Sequence, residues 1–531
     1  MRSEQHHAPE RHPVPEHPAE RGPERPEEGQ TPAGEPGGDQ QAPPPAPVPP
    51  DVPAADRARG WVVALVLGLL GGVVRFQNLG FPTDKGTPVF DEKHYVPQAW
   101  QMLRNGGVED NPAYMLTVHP PLGKTLISLG EWAFGYTGWG WRFTAALAGT
   151  LMVVMAVRAA RRLTRSTLMG AVAGLLLIAD GVLHVQSRMG MLDIFLAFFV
   201  LAAFCCVLVD RDQVRSRLAT ARDEGWLGAS AFGPRLGVRW WRLAAGLLLG
   251  LACGVKWSGL YFIAAFGLLT VLFDVAARRS AGVRRPWLGA LGRDTLPGLW
   301  AFVGIGLLAY VSTYWGWFAS EAGFARHLVE TTGSDPVSVV KGAVGSLFAN
   351  AADILKFHNE LVTPDKPHPW ESKPWTWPMG LRPMLYHYDG GLTGCGESRC
   401  VSATMLVGTP AMWWLAFPVL LFGAWRVLLR RDWRFAAVLV GYLAGLLPWF
   451  ANIDRQMYFF YATPMAAFLV LALVLCLDRV RLAAPGRLGR VAIGGYVLLV
   501  VANFVWLWPI LNGDPITDGR WQAELWLPSW R

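Results

Sequence analysis

The chain has 531 residues, of which 52% are hydrophobic and only 17% charged, with 26 Trp, 26 Phe and a mean hydropathy of +0.26. Soluble domains hold about 25% charged residues, so this composition excludes an ordinary soluble enzyme and is that of a membrane protein. The net charge of +8 resides in short basic loops and requires no nucleic-acid partner.

Residues 1–58 are dominated by Pro, Glu, Gly and His and offer too little apolar surface for a core, which predicts a disordered cytoplasmic tail. No small-residue cleavage site follows the first apolar run, Trp61 to Leu79, so it reads as a retained span and not a secretory leader. About 20 mostly apolar residues cross a bilayer as a helix. Ten further candidates follow: Gly138 to Val157, Met169 to Leu183, Leu192 to Val209, Leu243 to Val255, Trp257 to Val275, Leu296 to Phe318, Met412 to Leu429, Phe435 to Phe450, Tyr458 to Leu477 and Val491 to Ile510. The fold class predicted is an all-α polytopic membrane protein of about 11 transmembrane helices over residues 59–511.

Arg and Lys in short loops stay on the cytoplasmic side. Five clusters qualify: Arg158, Arg161, Arg162 and Arg165; Arg211, Arg215, Arg217 and Arg239; Arg278, Arg279, Arg284 and Arg285; Arg426, Arg430, Arg431 and Arg434; Arg479, Arg481, Arg487 and Arg490. With eleven spans and the N-terminus inside, all five fall on the cytoplasmic side of a plasma membrane. Two long loops, residues 80–139 and 319–411, and the C-terminal tail, residues 512–531, then lie outside. In the second loop Cys395 and Cys400 form either a small disulfide or two free thiols, while Cys205, Cys206, Cys253 and Cys476 sit in apolar runs as small hydrophobes. Asp210-Arg211-Asp212, on the opposite face, has the look of a metal-binding acid pair but reads as a loop.

Chemistry gathers outside. In the first loop, Asp91 and Glu92 follow a Pro-containing turn, with Asp91 placed to cap a helix. Adjacent helical positions point about 100° apart, so one acid serves as general base while the other positions a substrate or cation; the alternative is a solvated cap. His119 and Lys124 flank Pro120-Pro121-Leu122-Gly123, a helix start able to hold an anion or simply to initiate. The Trp-rich string from Pro369 to Pro378 suits either stacking on sugar or peptide, or anchoring at the membrane interface. An ionisable group at membrane depth costs at least ~2.5 kcal/mol and needs a role or a partner. Arg142, Asp180, His184, Arg188, Asp193, Lys256, Asn452, Asp454 and Arg455 all fall at outer span ends. Singly, snorkelling accounts for Lys256, and pairing for Arg188 with Asp193 and Asp454 with Arg455. Together, Arg142, Arg188, Lys256 and Arg455 beside a carboxylate pair describe a site that neutralises a phosphate and removes a proton.

Several fragments resemble the protein O-mannosyltransferases, membrane glycosyltransferases of the GT-C type. They are Phe90-Asp91-Glu92-Lys93-His94-Tyr95; His119 to Lys124; Ser187-Arg188 with Leu192-Asp193; Gly254-Val255-Lys256-Trp257-Ser258-Gly259-Leu260; His368-Pro369-Trp370-Glu371-Ser372; and Gly408-Thr409-Pro410 before Trp413-Trp414. The resemblance covers nearly everything after the tail. It implies transfer of mannose from polyprenyl-phosphate-mannose to Ser or Thr hydroxyls of secreted proteins near the translocon, with inversion and with no cofactor, the lipid-linked sugar being a substrate. Carried over, Asp91 is the general base, Glu92 positions acceptor or sugar, and Arg142, Arg188 and Lys256 hold the lipid phosphate, with His119 and Lys124 nearby. The eukaryotic members insert a β-trefoil in the second outer loop, which residues 319–411 are too few to hold, so the chain resembles a bacterial, actinobacterial-type member. Rival readings are a polyprenyl-phosphate-sugar transferase with a lipid or polysaccharide acceptor, a transporter, and a non-catalytic scaffold. A transporter would distribute charges across the bilayer and not on one side.

Overall fold

The computed structural model describes residues 54–109, 118–330, 333, 335–397 and 399–531. The expected disordered tail lies outside them, apart from its last few residues, which are helical. Helix α1, Ala54–Phe76, begins ahead of Trp61 because Asp56 sits in its first turn and pairs with Arg161, an acid favoured near a helix N-terminus.

Each expected span has a helical counterpart. Around the first outer loop lie α2, Glu92–Arg104, and α3, Leu122–Phe134, followed by α4, Gly138–Thr164. The third span is divided into α5, Thr167–Ile178, and α6, Gly181–Gln186, because the Asp180 side chain accepts from the Leu183 amide and starts a new helix. Then come α7, Asp193–Asp223, α8, Trp240–Val255, α9, Gly259–Ala281, and α10, Pro286–Ser312. The helix α7 runs on through Asp210 and Asp212, so the expected loop there is helical. Next is α11, Pro336–Glu360, then α12, Ala416–Arg430, α13, Trp433–Leu446, α14, Thr463–Ala483, and α15, Arg487–Asn512.

Among the described residues ten helices are long and apolar enough to cross a membrane; they include α11 and omit the shorter α5 and α8. Yet α11 stays with the loops at one end of the bundle. Its Ser346 accepts from the Val329 amide, Asn350 and Ile354 line a small cavity with His119, and His358 meets the Val118 carbonyl. The core is built on α14, apolar all round and buried along most of its length as a central bundle helix must be. Phe468 of α14 packs edge-on to Phe204 and Phe266. Helices α8 and α10 touch through glycines: a Cβ on Gly250 would sit 2.1 Å from the Gly306 carbonyl oxygen.

The chain is not wholly helical. Residues Met384–Leu392 (β1), Cys400–Leu406 (β2) and Ile516–Thr517 (β3) form an antiparallel sheet in the order β1-β2-β3. Cys395 and Cys400 are joined as a disulfide that closes the β1–β2 loop. The expected C-terminal tail supplies β3 and a short helix, α16, Asp518–Glu524, whose Trp521 packs 6.0 Å from Tyr388.

The Arg clusters collect at the end of the bundle away from Asp91. Helix α7 starts at Asp193 and reaches Asp210 seventeen residues later, about 25 Å away at 1.5 Å per residue. There Arg239 and Arg242 grip Asp210 and Asp274, Arg278 grips Asp294, and Arg162 meets Asp212 at 2.6 Å.

Candidate active site at the Asp91 end

Three elements meet at one point. Helix α8 ends at Val255, so Lys256 falls in the turn before α9, and its Nζ lies 2.9 and 2.8 Å from the two oxygens of Asp193, the first residue of α7. The Lys256 charge also faces the rings of Phe460 and Tyr461, at 5.4 and 5.8 Å. Asp91 precedes α2. It occupies the expected N-cap position, but its backbone is already helical and its side chain makes no capping bond. The carboxyl is left for other work. Burial pushes it up to about 6, with Lys256 lowering it and Asp193 raising it.

The backbone just before Asp91 is held in an unusual shape. Phe90 has φ +51°, a left-handed conformation unfavourable for a side-chain-bearing residue. Its ring stacks on Tyr386 of β1 with centroids 4.4 Å apart and meets Phe460 edge-on at 6.1 Å. Tyr386 is the extra residue of a bulge between Leu385 and His387, and its hydroxyl accepts from Gln186 at 3.0 Å. Bulges beside sites re-aim a side chain in this way.

Glu92 and Arg142 are fully buried and bound to each other, Nε to Oε1 at 2.7 Å and Nη2 to Oε2 at 2.8 Å. Glu92 also accepts from the Gly190 and Val89 amides, while Arg142 donates to the Leu79 and Pro82 carbonyls. Neither side chain is free to touch a substrate; the pair ties the first loop to α4 and to the turn before α7. Arg188 is likewise committed. It donates to the carbonyls of Arg75, Gln77 and Asn78, closing the C-terminal end of α1, where a cation is favoured, and its expected partner Asp193 belongs to Lys256. Lys124 is buried against Glu109. In this structure the contacts of Arg142, Arg188 and Lys124 hold the loops together.

Arg455 differs. Its guanidinium donates to the His358 carbonyl at 3.0 Å, meets His358 Nδ1 at 3.2 Å and lies over Trp449 and Tyr461. It has no acidic partner among the described residues, Asp454 included. His119 stacks on His358 with ring centroids 5.6 Å apart and lies 6.1 Å from Tyr95. Burial, then Lys256 and His358, drives its pKa well below the usual histidine range, so it is neutral near pH 7.

Asp91, Asp193, Lys256, His119 and Arg455 therefore share one region with Tyr95, Tyr386, Tyr461 and His358. The sequence gives no sign of the last four as site residues except for Tyr95, which closes the Phe90 to Tyr95 fragment. Tyr386 and His358 lie in the second loop and arrive only through the β1 bulge and the course of α11. The cluster can accept a proton on one carboxyl and place two cations, one acid-paired and one not, beside an anion.

Two family models match the chain: dolichyl-phosphate-mannose-protein mannosyltransferase over residues 65–277, and the C-terminal four-helix membrane region of protein-O-mannosyltransferase over residues 346–530. The polyprenol-phosphate-mannose–protein mannosyltransferase of Mycobacterium tuberculosis is 56% identical over 90% of this chain and 93% of its own, and that of Mycolicibacterium smegmatis is 54% identical over 90% and 94%. The like-named protein of Corynebacterium glutamicum is 43% identical over 89% and 93%. In fold, the chain is similar to the Saccharomyces cerevisiae protein O-mannosyltransferase Pmt1-Pmt2 complex bound to the sugar donor, with a TM-score of 0.67 and 15% identity over 90% of this chain and 94% of that one.

Proposed function

Because the chain belongs to the dolichyl-phosphate-mannose-protein mannosyltransferase family, a set of multi-pass GT-C membrane glycosyltransferases, we propose that it transfers mannose from polyprenyl-phosphate-mannose to Ser or Thr hydroxyls of secreted proteins. The carrying observation is Asp91, a half-buried, uncapped carboxyl beside the Lys256–Asp193 pair, pushed up to about 6 by desolvation.

In this reading a substrate hydroxyl approaches Asp91, which takes its proton as the oxygen attacks the sugar carbon. The new C–O bond forms on the face opposite the phosphate, the old sugar–phosphate C–O bond breaks with its electron pair leaving on the phosphate oxygen, and the configuration inverts. Lys256 and Arg455 balance the charge that develops on the departing lipid phosphate. Asp193 fixes Lys256, Glu92 and Arg142 fix the loop carrying Asp91, and neutral His119 adds a hydrogen-bonding group without a further charge. The phosphate ester is itself the activated leaving group, so no cofactor enters the scheme. The five Arg clusters at the opposite end support a cytoplasmic placement of that end, and hence an extracytoplasmic site where polypeptides emerge from the translocon.

The test offers purified protein a mannosyl polyprenyl phosphate and a Thr-containing peptide. Mannose on the Thr, lost in Asp91→Asn, is the expected result; an unmodified peptide alongside a labelled glycolipid would hand the site to a lipid-acceptor transferase.

A further inference from the structure

Strand β1 is saturated on one side only. It stands at the edge of its sheet, paired with β2. Among the described residues its other side meets no main-chain partner, and the one side-chain bond to its backbone is that of Asp389 to the Gly391 amide. Proteins commonly blunt such an edge with Lys or Pro, which β1, Met-Leu-Tyr-His-Tyr-Asp-Gly-Gly-Leu, lacks, or with bulges, of which β1 carries one at Tyr386.

The open edge leads to the reacting carboxyl. Tyr388, Asp389 and Gly391 are exposed, whereas Met384 and Tyr386 are buried, so the strand runs inward from the surface. Where it becomes buried, the bulge turns Tyr386 onto Phe90, the residue before Asp91. The Cys395–Cys400 bond closes the loop beyond, which holds the hairpin in shape before any partner arrives.

We propose that the acceptor polypeptide docks as an extended strand along the open edge of β1, with its reacting Ser or Thr opposite Tyr386. This rests on the reading of the chain as a protein mannosyltransferase. An added strand lies about 4.8 Å from its neighbour, and Tyr386 stacks on Phe90, the residue before Asp91, so this register sets the hydroxyl near the segment that carries the carboxyl. Main-chain pairing supplies affinity without reading sequence, and side chains of alternate residues face the site. Many polypeptides then share one docking mode, provided that the segment is extended.

The experiment uses the full chain in nanodiscs, polyprenyl-phosphate-mannose, and a set of peptides with one central Thr, each N-methylated at a single backbone amide. Side chains are unchanged while one donor at a time is removed. Methylation at alternate amides is expected to raise the peptide KM roughly three- to tenfold, the loss of one hydrogen bond, while the amides between them, and the donor KM, stay unchanged. A uniform response along the peptide, or none, overturns the strand pairing while leaving the transferase reading intact. Failure to mannosylate the parent peptide overturns that reading and this inference with it.

Discussion

The two ends of the helix bundle use buried charge differently. At the Arg-rich end Arg239, Arg242 and Arg278 interlock with Asp210, Asp274 and Asp294, so each of these three cations meets at least one carboxylate and Arg278 also donates to the Phe232 and Pro234 carbonyls. At the Asp91 end the balance is incomplete: Asp91 has no capping bond, Lys256 shares Asp193 with nothing else, and Arg455 leans on a histidine. Complete pairing holds helices together. Incomplete pairing leaves charge available to a substrate, at some cost in stability.

Breaking that contrast should give opposite results at the two ends. Asp91→Asn is expected to lower kcat by roughly 10²- to 10⁴-fold, the contribution of a general base, with thermal unfolding unchanged. Single-turnover mannosylation and a melting curve on the same sample check both halves. Arg242→Ala should do the reverse. Removing one member of a buried ion network costs about 3–5 kcal/mol, seen in denaturation in detergent, while the folded fraction keeps its kcat. Unchanged stability would show that the network is not what joins α7, α8, α9 and α10.

Much of this was legible in the sequence, and for identifiable reasons. Apolar runs report helices directly, so each of the eleven expected runs falls on a helix, although α7 and α10 extend well beyond theirs. Asp91 and Lys256 stand out because a charge next to a span requires a reason. Partners were less visible. Arg188 and Asp193 share the turn before α7 while Lys256 lies beyond α8, and only packing shows that Asp193 meets Lys256 while Arg188 closes α1. The second loop was least legible: β1 and β2 are split by a disulfide loop, and their role depends on a bulge that no residue pattern announces.

Smaller effects sharpen the comparison. Arg455→Gln is expected to raise the donor KM about tenfold with little change in the peptide KM, because it removes the cation with no acidic partner. Equal changes in both would place Arg455 outside the phosphate site. The pH profile gives the next step. As the proposed base Asp91 would act deprotonated, and its pKa is pushed up to about 6 in the substrate-free protein, so kcat/KM should be half-maximal near pH 6 and fall about tenfold per unit below it. Lys256→Gln removes the group that lowers that pKa, so the acid limb should move to higher pH. A limb that stays in place or moves down would mean that Asp91 is not the titrating group.

The smallest expected effect concerns the backbone before Asp91. A left-handed conformation costs a side-chain-bearing residue roughly 1–2 kcal/mol, and an aromatic stack returns about 0.5–1.5 kcal/mol. The Phe90–Tyr386 stack is therefore about enough to hold Phe90 at φ +51°. Phe90→Leu keeps the strain and loses the stack, which frees the backbone to relax and swings Asp91 away, for a fall of about three- to tenfold in kcat. Phe90→Gly removes the strain and the stack together. It should retain the left-handed shape as one of several, giving a similar fall in kcat with no shift in the acid limb. If both variants keep full activity, Asp91 is positioned by its own helix and the stack on β1 serves only to anchor the hairpin.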